Sequence, residues 1–179
     1  MTSVEWVAGK VRFIDQTRLP TEEVLVETSD FRVVAEAIKK LKIRGAPAIG
    51  VAASFALLLA IEDERILSST DLQEELFTAI NVLSQTRPTA VNLFTALNRM
   101  RRVYQNVSHT DVVTIRYHLL EEARRIQQED VEACRMIGEN GAALICPRFI
   151  DPHSLQYRGA GNRRRRHGTE YYHYRGPPK

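Results

Sequence analysis

Ile43-Arg-Gly-Ala-Pro-Ala-Ile-Gly50 runs directly into Val51-Ala-Ala-Ser-Phe-Ala-Leu-Leu-Leu-Ala-Ile61, and the join predicts the architecture around it. An apolar, Ala-rich run of this length reads as a helix buried on every side. Pro47 falls near the first turn of that helix, where its missing N–H costs no hydrogen bond. A helix without a polar face needs neighbours all round, so the flanking sequence must supply a helical bundle.

Upstream, Val33, Val34, Ala37, Ile38 and Leu41 share one face at helical spacing. Ser29 or Asp30 can cap that helix, which ends at Lys42–Arg44. Further upstream the period shortens. Val4–Val7, Lys10–Ile14 and Val24–Thr28 are β-prone runs separated by turn residues, and they predict a small antiparallel β unit. Downstream, Thr70-x-x-Gln73 has the form of a capping box, followed by the stripe Leu72, Leu76, Ile80 and Leu83. Arg87-Pro88-Thr89 interrupts. Leu93, Phe94, Leu97, Met100 and Tyr104 then form a second stripe. From Asp111 a third follows with Val112, Ile115, Leu119 and Ile126. Glu129–Ile145 continues helically after an expected break near Gln127–Gln128. The fold class is therefore α+β and mainly α: a β unit over 1–28 and a helical domain over 29–145.

After Ile145 the apolar period is lost. Residues 146–179 contain eight of the 25 Lys/Arg and two of the 22 Asp/Glu, including Arg163-Arg164-Arg165-Arg166. The remaining body is slightly acidic, so the high isoelectric point belongs to the tail. Such a composition buries too little apolar surface to fold alone and predicts disorder. An arginine run can also serve as a nucleic-acid arm.

The rest of the composition narrows the class. At 44% hydrophobic and 26% charged, the chain has the balance of a soluble globular protein. Its apolar runs fall short of the ~18 residues of a membrane span, and Met1–Lys10 lacks a basic-then-apolar leader pattern. Cys134 and Cys146 form neither a disulfide framework nor a metal-ligand spacing. The expectation is a cytoplasmic protein with no membrane partner, metal or cofactor. His118 reads as a surface or boundary residue and Cys134 as core. Glu121-Glu122 and Glu129-Asp130 read as solvated helix faces.

Two junctions remain that could carry chemistry. At Arg44-Gly45-Ala46-Pro47 an arginine precedes a glycine turn and a helix start. The free N–H groups and dipole of a helix N-terminus favour an anion, a guanidinium grips phosphate bidentately, and Gly45 lets the backbone approach. Arg87-Pro88-Thr89-Ala90-Val91-Asn92 repeats the theme, with Asn92 as a further neutral donor. Two such junctions can aim two arginines at one dianion, which requires adjacent helix starts. From the residues alone, an ordinary loop with its arginine paired to a carboxylate is the commoner arrangement.

Arg44-Gly-Ala-Pro-Ala-Ile-Gly50 and Arg87-Pro-Thr-Ala-Val-Asn-Leu93 resemble two signatures of the methylthioribose-1-phosphate isomerase family. Asp15-Gln-Thr-Arg-Leu-Pro20, Asn98-Arg-Met100, Glu129-Asp-Val131 and Ile137-Gly-Glu-Asn-Gly141 agree with the same family, so the resemblance runs from Val4 to Ile145. It implies that Arg44 and Arg87 bind the substrate phosphate, with backbone at Gly45 and Ala46. It also implies a homodimer and aldose–ketose isomerisation of a sugar phosphate, methylthioribose 1-phosphate, in methionine salvage. The family's catalytic Cys-Asn-Thr-Gly and later Asp belong to a Rossmann-like domain, and neither appears here. No catalytic residue is assigned, and the chain is expected to be an inactive N-terminal part. If Leu155, Gln156 and Tyr157 are encoded CTG, CAA and TAC, reading one base later yields Cys-Asn-Thr. The tail is then expected to be out of frame, which removes the case for a nucleic-acid arm. Regulatory subunits of translation initiation factor 2B share the family's fold, so a non-catalytic interaction module is the alternative.

Overall fold

The computed structural model describes residues 3–63 and 66–144. Strands β1 (Val4–Val7), β2 (Lys10–Ile14) and β3 (Leu25–Thr28) form an antiparallel sheet in the order β1-β2-β3. Trp6 opposes Val11, and Phe13 opposes Val26. The β2 face toward the helices buries Val11 and Phe13. Its other face crosses Lys10 and Arg12 with Glu27. All three strands predicted from alternation are present, with β3 starting one residue later than expected.

Five helices follow: α1 (Phe31–Lys39), α2 (Ala46–Ile61), α3 (Ser69–Ser84), α4 (Val91–Val107) and α5 (Val112–Leu144). As its composition requires, α2 is the centre. Every residue from Ile49 to Ile61 is buried, and α1, α3, α4 and α5 pack around it together with β1 and β2. Its single polar interior side chain, Ser54, donates to the Val51 carbonyl at 2.8 Å and so carries no unmet hydrogen bond. Trp6 of the sheet lies against Phe55 with ring centroids 5.8 Å apart.

The helix boundaries and faces differ from the sequence reading at several places. Asp30 is the cap of α1, accepting from the Arg32 N–H at 2.8 Å. The helix ends at Lys39, short of Lys42. Beyond it Leu41 adopts a left-handed φ of 59°, and the Lys42 N–H returns to the Ala37 carbonyl at 2.9 Å. That reversal turns Leu41 out to solvent, and Val33 is likewise exposed; Phe31 and Ala35 fill the core positions instead. The α3 cap is Ser68, whose hydroxyl accepts from the Asp71 N–H at 3.0 Å, rather than Thr70. The Ser-x-x-Asp spacing is equivalent, and it places Asp71 in the positive first turn.

α5 is unbroken over 33 residues. Gln127 and Gln128 are good helix formers, and Gln127 holds the helix to the sheet by donating to the Val4 carbonyl at 2.9 Å. Its first half buries Ile115, Leu119 and Ala123 against the bundle. Its second half leaves the bundle, so Cys134 is exposed rather than core. Burial first, then the Asp130 carboxylate, push its thiol above the ordinary range, the opposite of an activated nucleophile. Glu122 also departs from expectation. It is buried at 6% exposure, because Arg99 of α4 reaches it with Nε at 2.7 Å and Arg125 approaches its other oxygen at 2.9 Å. His118 is at the surface, as expected. The expectations for residues 146–179 lie outside the described residues.

Candidate functional site

The two arginine junctions stand at the starts of helices that touch. Gly50 lies one turn into α2, and a methyl group built there would sit 2.9 Å from the Asn92 carbonyl oxygen at the start of α4. Glycine therefore permits a backbone-to-backbone approach that any other residue would prevent. The expectation that Arg44 and Arg87 precede neighbouring helix starts is met at the level of the backbone.

Around Arg44 the chain is closely constrained. Ile43 is fully buried and anchors the loop from below. Gly45 takes φ 93°, ψ 129° at the N-cap of α2, a region open to glycine and strained for other residues. Its carbonyl accepts from the Ile49 N–H at 3.0 Å, and no side chain caps the helix. Ala46 is the first helical residue, exposed, with Pro47 beside it. The first-turn N–H groups are thus offered outward without a carboxylate in that turn.

The Arg44 Nε–H donates to the Leu41 carbonyl at 2.9 Å, which orients the guanidinium and leaves its terminal amino groups out of that bond. Arg87 is half-buried in a turn closed by the Ala90 N–H on the Arg87 carbonyl at 3.0 Å. Pro88 belongs to this turn, and α4 begins three residues later at Val91, so α4 is not started by the proline as expected. A turn is the natural place for it, since proline presets φ at a central turn position.

Neither arginine has a carboxylate partner among the described residues, whereas Arg12, Arg99, Arg125 and Arg135 all do. The ordinary alternative, an arginine held in an ion pair, is therefore not what surrounds either residue.

A cavity of about 640 Å³ lies elsewhere, between the far end of α2 and the starts of α1 and α3. Asp30, Asp63, Asp71, Glu74 and Glu75 line it, with Arg32 among them. That charge repels phosphate. The predicted anion site and the roomy cavity are different places.

Sequence reasoning quoted Asp15, Gln16 and Lys42 without seeing what they do. The Asp15 carboxylate lies 3.1 Å from the Lys42 ammonium, and the Gln16 N–H donates to the Lys42 carbonyl at 2.9 Å. The available signal was Asp-x-Thr, a side-chain turn motif. It announces the turn and says nothing of the loop the turn meets.

A β-capped helical bundle in which the helices that follow two arginine-bearing turns pack together near their starts defines the class. The chain belongs to the initiation factor 2 subunit family, whose model matches residues 42–153. It is 50% identical over 143 residues to the methylthioribose-1-phosphate isomerase of Geotalea uraniireducens, covering 80% of this chain and 41% of that protein. It is 43% identical over 142 residues to the 5-deoxyribose 1-phosphate isomerase of Moorella thermoacetica, covering 79% and 40%. The chain thus spans about two-fifths of the length of these relatives.

Among solved structures, 5-methylthioribose 1-phosphate isomerase from Pyrococcus horikoshii matches with a TM-score of 0.77 at 39% identity, over 80% of this chain and 40% of that one. Translation initiation factor eIF-2B, subunit delta, from A. fulgidus matches with a TM-score of 0.75 at 36% identity, over 81% and 42%. Fold alone therefore does not separate the enzyme from the initiation factor.

Proposed function

We propose that this chain carries the phosphate-binding part of an aldose–ketose isomerase site for a pentose 1-phosphate, with methylthioribose 1-phosphate the first candidate and 5-deoxyribose 1-phosphate the second. The supporting observation is the pair of arginine junctions before helices that touch near their starts, both without carboxylate partners among the described residues. Arg44 and Arg87 would grip the phosphate oxygens, and the N–H groups at Gly45 and Ala46 would face the same dianion. The similarity to relatives named as isomerases supports the choice of substrate class.

Holding the phosphate matters because an aldose 1-phosphate has its anomeric oxygen blocked, so ring opening and hydrogen transfer between C1 and C2 need a firmly placed substrate. The transfer itself requires an acid and a base. Neither arginine is suited to those roles at neutral pH, and Cys134 is exposed with a raised pKa. In this reading the 179-residue chain binds sugar phosphate without turning it over, and residues 146–179 are an out-of-frame tail. A cytoplasmic homodimer completes the proposal for the intact enzyme. No helix among the described residues is long and apolar enough to cross a membrane.

The test is ketose phosphate formation and sugar-phosphate binding by the purified chain, with Arg44→Ala and Arg87→Ala controls. Binding lost in both variants, without turnover, is expected. Ordinary turnover abolished by Arg44→Ala would show that acid and base groups are present after all. Sequencing the coding DNA across Leu144–Tyr157 tests the reading frame.

The second reading is a non-catalytic interaction module, supported by the similarity to the eIF-2B delta subunit. It predicts no sugar-phosphate binding and a stable complex with another chain of the family.

A further inference from the structure

Resting on the phosphate reading above, we infer that the Asp15-Gln16-Thr17 turn is the positioning element of the Arg44–Gly45 junction, holding the loop in the shape that aims Arg44 at a phosphate.

The loop between α1 and α2 is held from two sides. On the α1 side, the Lys42 and Ile43 N–H groups both return to the Ala37 carbonyl, at 2.9 and 3.2 Å. On the sheet side, the turn that follows β2 supplies two hydrogen bonds and an ion pair. The Gln16 N–H donates to the Lys42 carbonyl at 2.9 Å. The Gln16 side-chain amide donates to the Arg44 carbonyl at 3.4 Å. The Asp15 carboxylate pairs with the Lys42 ammonium at 3.1 Å. Arg44 is therefore tied through its own carbonyl to Gln16, and through its guanidinium to Leu41, next to the residue that Asp15 holds.

The turn is itself rigid. Asp15 is 5% exposed, and its Oδ1 accepts from both the Thr17 N–H at 3.1 Å and the Thr17 hydroxyl at 2.5 Å. Its backbone N–H donates to the Val24 carbonyl at 2.9 Å, and its carbonyl accepts from the Arg18 N–H at 3.2 Å. Burying a carboxylate is unfavourable compared with an apolar side chain of similar volume unless the charge is well paired. If the turn served packing alone, an apolar residue at position 15 would serve better. Instead its polar groups converge on Lys42 and Arg44, the residues that lead into Gly45. A binding loop held in its bound shape beforehand avoids the cost of being ordered when the ligand arrives, so a brace on this loop acts directly on the anion contact.

The test titrates the full chain with inorganic phosphate and follows the Arg44, Gly45 and Ala46 amides by nuclear magnetic resonance. The variants are Gln16→Ala and the isosteric Gln16→Met, neither of which changes charge. Backbone order at Arg44 and Gly45 is measured from heteronuclear relaxation in the absence of phosphate.

The inference expects both variants to loosen Arg44 and Gly45 and to bind phosphate about tenfold more weakly, the cost of re-ordering about one backbone residue on binding, with little change in unfolding temperature. Loop order and phosphate affinity as in wild type would overturn it. So would a loss of order spread over the whole domain with a large drop in unfolding temperature, since the turn would then be a general structural support. If wild type shows no phosphate response while the Gln16 variants still loosen the loop, the phosphate reading fails and the brace stands as an ordering element.

Discussion

At its Ala46 end α2 begins behind a glycine and an arginine with no carboxylate partner among the described residues; at its Ile61 end, about 24 Å away at 1.5 Å per residue, it runs toward a cavity rimmed by carboxylates. The two ends also treat their free backbone groups differently. Arg116 of α5 closes the Ile61 end, donating to the Ile61 carbonyl at 2.7 Å and the Asp63 carbonyl at 2.8 Å. Cationic donors on terminal carbonyls complement the negative end of a helix. At the Ala46 end no side chain among the described residues caps the first turn, so the positive pole keeps its free N–H groups. Space and charge are therefore separated in this domain. The carboxylate-lined cavity has the wrong sign for phosphate, and the end with the right sign is the first turn of α2, which carries no acid.

The sharpest way to break this contrast is at Gly50. A valine there meets the Asn92 backbone, which cannot rotate aside as a side chain can. Overpacking of this kind should cost about 3 kcal/mol and lower the unfolding temperature by about 6–12 °C for a chain of this size. Calorimetry measures it, and an unchanged transition would mean that the starts of α2 and α4 are not in close contact.

A smaller effect is expected at the other end. Arg116→Met keeps the aliphatic reach and removes the donors, leaving the Ile61 and Asp63 carbonyls without that partner. About 2 kcal/mol of stability should be lost in denaturant unfolding, with phosphate binding at the Ala46 end unchanged. A parallel loss of phosphate binding would show that the ends are coupled.

The mildest perturbation is acid. The Thr17 hydroxyl bond, opposed by burial and assisted by Lys42, holds Asp15 below the usual carboxylate range. Because the folded-state value is depressed, its contribution is fully present above the unfolded value and is lost as pH falls through the folded one. Urea midpoints should therefore fall below about pH 4, and Asp15→Asn should show a smaller fall than wild type. Equal acid sensitivity in the two proteins would remove Asp15 from the account.

What could be read without coordinates was what depends on neighbours in sequence. Alternation over Val4–Val7 and Lys10–Ile14 is a property of a few adjacent residues, and so is the unbroken apolar run that makes α2 central. Gly45 before Pro47 announced a special turn and a helix start for similar reasons. Helix ends were less legible. Leu41 entered a left-handed conformation despite its side chain, and Ser68 rather than Thr70 captured the cap, because several nearby residues could have served each end.

The tertiary structure decided what depends on partners distant along the chain. Glu122 looked like half of a solvated acidic pair, and it is buried because Arg99, twenty-three residues away, neutralises it. Asp15 and Gln16 looked like turn residues, and they meet Lys42 and Arg44, with Gln16 and Arg44 twenty-eight positions apart. The second half of α5 has helical periodicity much like the first, yet Cys134 is exposed because the bundle ends before it. Apolar periodicity is written locally, since helices and strands repeat every few residues. The fate of a charge is not, since burial depends on a counter-charge that the fold alone brings within reach.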